Sequence, residues 1–327
     1  MQRRTIAQRP NWKERVEEQG LLFHSVEKEI RQTSGGYRDP SSVVGTEIEE
    51  VAYWAEGTYY AFASAEIDAI EAATNELQER CLEAGQHIID KKRYRELGIP
   101  DAAVPLIERS WEEEPPAIYG RMDLVMTDSG KIKLLEYNAD TPTSLLEAAV
   151  IQWTWLEDMR NAKTFEQYRS GGPHGISMDF DTADQFNSIH EKLVAKWTEL
   201  RGYLRREGIG RHLPSVLSKP MLHFAHADSL EDLMTVTYLR DTAEQGGIKT
   251  APIRIEDIGW NGKVFTDKAE KPIHNLFKLY PWEWLFLDSF GQNIRLVPDM
   301  FWIEPAWKML FSTKGILPIL WELFPGD

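Results

Sequence analysis

AIYGRMDLVMTDSGKIKLLEYNADTPTS, residues 117–144, decides how this chain is read. Residues 117–126 and 131–138 alternate well enough for two strands, and Asp128–Ser129–Gly130 supplies the turn of a hairpin. Period two puts Arg121 and Asp123 on one face of the first strand, with Met122 and Leu124 on the other. In the second strand it groups Ile132, Leu134, Glu136 and Asn138. Register cannot be read from sequence, so a meeting of the two polar sets is an expectation. Met, it would combine one cation, two carboxylates and an amide.

Asp123, Glu136 and Asn138 all offer oxygens, a hard donor set suited to Mg²⁺ or Mn²⁺. Arg121 is permanently charged and can grip a phosphoryl oxygen at two points. An ion-paired sheet facing solvent uses the same residues. The run EYNADTPTS at 136–144 favours a ligand, because it gathers Asn, Asp, Thr and Ser at a strand end that leads into a helix.

Working outward, Ser144 and Glu147 fit a capping box, for a helix continuing through Val150, Trp153 and Leu156. The free amides at its start suit a carboxylate or phosphate. Ser64 caps an earlier helix with Ile67, Ile70, Thr74, Leu77 and Cys81 on one face. Cys81 therefore reads as a small core residue. Residues 216–258 predict strand, helix and strand: Met221–Phe224, a helix from Asp228 or Ser229 to about Gln245 stopped by Gly246–Gly247, then Ala251–Ile255. That is an α/β crossover. A helix is expected over 182–206, and loops over 32–45 and 170–177.

From Asn275 the chain is rich in aromatics. Lys278 and Glu283 flank Trp282 and Trp284, which read as core, and Glu304 precedes Pro305 and Trp307. A helix is expected from Lys314 to Phe324. Lys314 at its start opposes the helix dipole unless an anion lies there; an exposed lysine is the plainer reading. The end at Pro325–Gly326–Asp327 reads as cut, or as closing against a core supplied elsewhere. His223, His226 and Asp228 offer too few ligands to favour a metal site.

The 327 residues are 42% hydrophobic with 12 Trp and 13 Phe, enough for a substantial core. A net charge of -15 opposes nonspecific nucleic-acid binding through a basic face. The single cysteine rules out an internal disulfide. Residues 1–10 are polar and unlike a signal peptide, and no apolar run is long enough to span a bilayer. The expected location is the cytoplasm. Rossmann, Walker A, His-Glu-x-x-His and Gly-x-Ser-x-Gly signatures are missing from the sequence.

Seven stretches carry a resemblance: RPNWKE (9–14), RMDL (121–124), LLEYNADTPTSLLEAA (134–149), QWTWLED (152–158), NLFKLYPWEW (275–284), EPAWK (304–308) and KGILPILWELFP (314–325). Over essentially its whole length the chain resembles the glutathionylspermidine synthase-like ATP-grasp acid–amine ligases, and most closely their bacterial single-domain members. The resemblance implies a mixed α/β (α+β) fold, with an ATP-grasp-like core after an α/β pre-ATP-grasp domain. It implies three regions: 1–180 with the hairpin 117–138, a substrate-side domain at 181–270, and an incomplete nucleotide domain at 271–327. It further implies MgATP activating a carboxylate as an acyl phosphate, which an amine then attacks.

By the same resemblance, Asp123, Glu136 and Asn138 hold Mg²⁺. Arg121 is the catalytic, phosphate-facing arginine, and Asp123 and Lys314 join it at ATP. Thr141, Thr143, Ser144 and Glu283 fall on the substrate side. The partners implied are a small acid and a small amine, with neither nucleic acid nor membrane; the oligomeric state stays open.

The chain also departs from the pattern. No amidase unit is expected with it, since Cys81 lies in no Cys/His arrangement. Family members continue past Pro325 into a second ATP lysine, a glycine-rich loop and the adenine-contacting strands, so weak ATP binding is expected of this form. Residues 32–51 are longer than expected. A noncatalytic binding module is the alternative, and a metal-dependent hydrolase a weaker third.

Overall fold

The computed structural model describes residues 1–33, 43–161, 182–206, 221–289 and 291–326. In chain order the elements are β1 (Gln2–Thr5), α1 (Trp12–Glu18), β2 (Ser25–Thr33), β3 (Val43–Ala52), β4 (Thr58–Ala61), α2 (Ser64–Lys91), α3 (Val104–Glu113), β5 (Arg121–Met126), β6 (Ile132–Asn138), α4 (Gln152–Asn161), α5 (Ile189–Arg206), β7 (Met221–His226), α6 (Leu230–Gln245), β8 (Lys249–Arg254), β9 (Gly259–Trp260), β10 (Phe265–Thr266), β11 (Asn275–Leu279), α7 (Trp282–Leu287), β12 (Phe301–Ile303) and α8 (Ile316–Leu323). The fold is mixed α/β, with parallel and antiparallel sheets. The chain divides into two compact units, one of Met1–Phe62 with Leu146–Gln185, the other of Ala63–Leu145 with Phe186–Asp327.

In the first unit β1 pairs antiparallel with β4, and β2 with β3. Arg9 is buried and lies against two carboxylates. Its Nε donates to Glu56 Oε1 at 2.6 Å and its Nη1 to Asp158 Oδ2 at 2.7 Å. Trp54 Nε1 adds a bond to Glu56 Oε2 at 2.7 Å, and Arg15 Nη1 one to Asp158 at 2.6 Å. A buried arginine survives only when so paired. The RPNWKE and QWTWLED stretches thus meet in one structural knot. A π-helical turn, Glu147–Ile151, leads into α4.

The second unit is built on a parallel sheet in the order β12-β11-β7-β8. α6 is the crossover from β7 to β8, as expected; Ser229 caps it by accepting Asp232 N–H at 3.1 Å, and it ends at Gly246. β11 is buried along its whole length, as a central parallel strand must be. Phe224 and Phe277 stack at 5.1 Å, and Trp197 of α5 packs on Phe224 at 5.6 Å. A second core holds Leu276, Trp282 and Trp302 with Cys81 of α2 and Ile316 and Ile319 of α8. Burial pushes the Cys81 thiol up to about 12, which makes it inert. Gly85 lets α2 approach closely, since a Cβ there would lie 2.7 Å from the Trp111 ring.

Three local expectations change. The helix predicted over 182–206 begins at Ile189, because Asn187 Oδ1 takes the Ile189 N–H at 3.1 Å and turns the chain there. The loop predicted over 32–45 is narrower, with β2 running to Thr33 and β3 starting at Val43; residues 34–42 lie outside those described. Ser144 does not take the extended conformation of a capping-box residue. It has φ +64°, and Glu147 accepts from Tyr53 Oη at 2.7 Å. The loop expected at 170–177 lies outside the described residues.

Candidate functional site

The hairpin forms with Arg121 opposite Asn138, Met122 opposite Tyr137 and Asp123 opposite Glu136. The register then shifts, so that Leu124 faces Leu134 and Leu135 is the extra residue of a bulge. The bulge reverses the face of everything before it. Ile132 and Leu134 therefore lie with Met122 and Tyr137, whereas the alternation rule grouped them with Glu136 and Asn138. Met122 and Tyr137 face the core. Tyr137 stacks on Phe311 at 5.8 Å and donates its hydroxyl to Gln78 at 2.8 Å. Gly120 is needed beside it, as a Cβ there would lie 2.6 Å from the Tyr137 ring.

The opposite face carries the charges. Arg121 Nε donates to Asp123 Oδ1 at 2.9 Å, and its Nη1 to Thr143 O at 3.2 Å. Asn138 Nδ2 donates to Glu136 Oε1 at 3.0 Å, which leaves the Asn138 Oδ1 as a hard oxygen donor. Lys314 Nζ donates to Glu136 Oε2 at 2.5 Å. The Lys314 ammonium, followed by the Asn138 amide, holds the Glu136 carboxyl down at about 2, so it is ionised across the working range. Arg121, Asp123, Glu136, Asn138, Thr143 and Lys314 are thus brought together. The loop beyond is anchored by Tyr119 Oη, which donates to Pro142 O at 2.5 Å. Thr141 and Ser144 are half-buried in this loop. Glu283 is exposed in the first turn of α7, and no hydrogen bond or ion pair among the described residues joins it to the hairpin.

Behind the hairpin lie two buried ion pairs. Lys278 Nζ is 2.6 Å from Asp140 Oδ1, and Lys308 Nζ is 2.5 Å from Glu304 Oε2. Glu304 also accepts the N–H groups of Ile118 (3.1 Å) and Tyr119 (3.2 Å), and Lys308 donates to Tyr119 O at 2.6 Å. The first strand consequently starts at Arg121 and not at 117, because these N–H groups are spent on a carboxylate. Burial pushes the Lys278 ammonium down and the Glu304 carboxyl up, each against its partner's pull. Sequence reasoning counted Asp140 only as part of a ligand-favouring run and gave Lys278, Glu304 and Lys308 no site role. A signal was there: a lysine within the apolar strand NLFKL must be paired if it is buried.

His226 Nδ1 bonds to Ala227 O at 2.7 Å, His223 Nε2 is 3.8 Å from Asp267, and Asp228 pairs with Arg254 at 3.5 Å. Among the described residues no group of three or more His, Cys, Asp or Glu side chains forms a metal cluster. The two carboxylates and one amide of the hairpin are an oxygen-only set of the kind a hard cation can share with oxygens from a ligand. No helix among the described residues is long and apolar enough to cross a membrane.

The sequence profile of the glutathionylspermidine synthase pre-ATP-grasp family matches residues 3–327. A protein of Haemophilus influenzae provisionally named an acid–amine ligase is 39% identical over 276 residues, covering 84% of this chain and 62% of the relative. The bifunctional glutathionylspermidine synthetase/amidase of Escherichia coli is 25% identical over 293 residues, covering 82% of this chain and 42% of the relative. The trypanothione synthetase of Crithidia fasciculata is 25% identical over 275 residues, covering 76% and 37%. The chain thus spans less than two thirds of the length of each.

Proposed function

The chain belongs to the glutathionylspermidine synthase pre-ATP-grasp family, and on that premise we propose that it serves an ATP-dependent ligase joining a small carboxylic acid to a small amine in the cytoplasm. The observation that supports this is the pairing on the hairpin face. Arg121 rests on Asp123 and Lys314 on Glu136, two cations of the kind that take phosphate against two carboxylates of the kind that take a metal ion. All four side chains keep solvent exposure, so the pairs can exchange partners at little cost. With Mg-ATP, Asp123, Glu136 and Asn138 would turn to the metal, and Arg121 and Lys314 to phosphate oxygens.

A carboxylate resists attack by an amine because oxide is a poor leaving group. Transfer of the terminal phosphoryl group forms an O–P bond on the carboxylate and releases ADP. Attack by the amine on the acyl carbon then forms the C–N bond, expels phosphate and frees a proton. Arg121 and Lys314 would offset the repulsion between carboxylate and phosphate and steady the transferring group. Mg²⁺, when bound, would supply further charge neutralisation there. Thr141, Thr143, Ser144 and Glu283 would lie on the acid and amine side. The net charge of -15 suits a polycationic amine.

A noncatalytic binding module is the second reading, favoured by the mutual pairing of the four charges. Titration calorimetry of Mg-ATP into the full-length natural protein separates the two, together with ATP turnover requiring both an acid and an amine. The ligase reading expects binding that falls at least about tenfold in Asp123→Asn and Glu136→Gln, in line with loss of a charged ligand contact. Binding indifferent to both substitutions, or turnover with neither co-substrate, would sink it.

A further inference from the structure

Asp140 stands two residues beyond Asn138, is buried, and reaches three segments of the second unit. Its carboxylate accepts Lys278 Nζ of β11 at 2.6 Å and the Trp282 N–H that opens α7 at 2.9 Å. Its own N–H donates to Ser312 Oγ at 2.8 Å, and Ser312 Oγ donates to Lys308 O at 3.0 Å. Ser312 lies two residues before Lys314. Lys278 is fixed in turn, donating to Tyr280 O at 3.0 Å and lying 4.5 Å from the centre of the Trp282 ring. One aspartate therefore ties the strand bearing Glu136 and Asn138 to the turn bearing Lys314, and both to the central sheet.

Packing alone does not call for these charges. A buried ion pair loses hydration that an apolar pair of equal volume never had, so such a pair is weak evidence of a stabilising role. It does supply direction: short bonds of defined geometry to one oxygen each. We infer that Asp140, held by Lys278, is a positioning residue that sets the spacing between the oxygen ligands of β6 and Lys314. Both of its carboxylate oxygens are engaged by protein donors, so its role is to hold other groups in place. The inference rests on the ligase reading above.

The test uses the full-length natural protein and Mn²⁺ with ADP, followed by the electron paramagnetic resonance of free Mn²⁺, with thermal unfolding measured in parallel. Lys278→Met leaves the buried Asp140 carboxylate without its counter-charge and lowers the unfolding midpoint. Asp140→Asn with Lys278→Met removes both charges, and the midpoint returns towards that of the wild type. Positioning requires that Mn²⁺ affinity in this stable double variant stay at least tenfold weaker; recovery of affinity along with stability overturns it. Should the double variant not fold, Asp140→Glu decides. It keeps the ion pair but lengthens the link by a methylene, and it must weaken Mn²⁺ binding in a protein of near-wild-type midpoint. Unchanged affinity in Asp140→Glu overturns the inference.

Glu136→Gln separates the two claims. If it abolishes Mn²⁺ binding while the Asp140 variants do not weaken it, the inference fails and the ligase reading stands. If the wild type shows no Mn²⁺ binding that depends on Glu136, the reading fails and the inference falls with it. In turnover, a positioning loss raises the Mg²⁺ needed for half-maximal rate and is recovered by excess Mg²⁺, which a simple loss of folded protein would not be.

Discussion

The hairpin face and the layer behind it each hold two lysine or arginine side chains against two carboxylates, yet in opposite surroundings. On the face, Arg121 and Asp123 are each 37% exposed and Lys314 is 72% exposed. Behind it, Lys278 is 0% exposed and Glu304 1%. Water makes the first pairs cheap to break and remake, which suits groups that must hand over to a ligand. Loss of water makes the second pairs expensive to break, which suits groups that must hold a geometry.

The largest test of this contrast is Glu304→Ala. It strands the Lys308 ammonium and two backbone N–H groups in the core, and should cost about 3–5 kcal/mol in urea unfolding. A loss below about 1 kcal/mol would place this pair with the surface ones and break the comparison.

Next is Arg121→Gln. Its unfolding free energy should stay within about 1 kcal/mol of wild type, as for exposed pairs generally. ATP turnover by the full-length protein should fall on the order of 10²–10³-fold, as when one charge-stabilising donor is lost. Lost stability with retained turnover would make Arg121 structural.

A third prediction concerns pH. The Glu136 carboxyl is lowered from its ordinary 4.5 to about 2 in the folded protein, chiefly by Lys314. A lowered acid adds stability that is fully present above the unfolded value and is lost as pH falls through the folded one. The window is therefore pH 4.5 down to about 2. Carboxyl NMR should find a midpoint near 2 in the wild type, moving up towards 4.5 in Lys314→Met. An unmoved midpoint would assign the lowering to another group.

The smallest effect expected is that of salt. Raising NaCl to about 1 M shortens the screening length to roughly 3 Å and should weaken the exposed pairs before the buried ones. Wild type and Asp123→Asn should then differ by less than a few tenths of a kcal/mol in unfolding, as expected for a screened surface pair. A stability gap that survives high salt would show the hairpin pairs to be more shielded than their exposure implies.

Most of the frame was legible in the residues. The crossover over 221–254, the course of the long α2, the buried Cys81 and the hairpin turn follow from local rules of period and glycine stops. Ser64 is not the cap of α2, which starts after Ala63, whose N–H donates to Glu66 Oε2 at 2.9 Å. The misreadings have local causes that pattern does not carry. One extra residue at Leu135 reversed the face of Ile132 and Leu134. Asn187 captured an N–H and delayed a helix. A left-handed Ser144 replaced a capping box.

The oxygen donors and the arginine of the candidate site lie within 18 residues of one another, so a single hairpin gathers them, and strand alternation groups them in advance. Lys314 reaches Glu136 across 178 residues, and Lys278 reaches Asp140 across 138. No local preference encodes such meetings. They exist because the parallel sheet and the packing of α2, α7 and α8 bring distant backbone into register, and because a buried charge is tolerable only where a partner has been delivered to it.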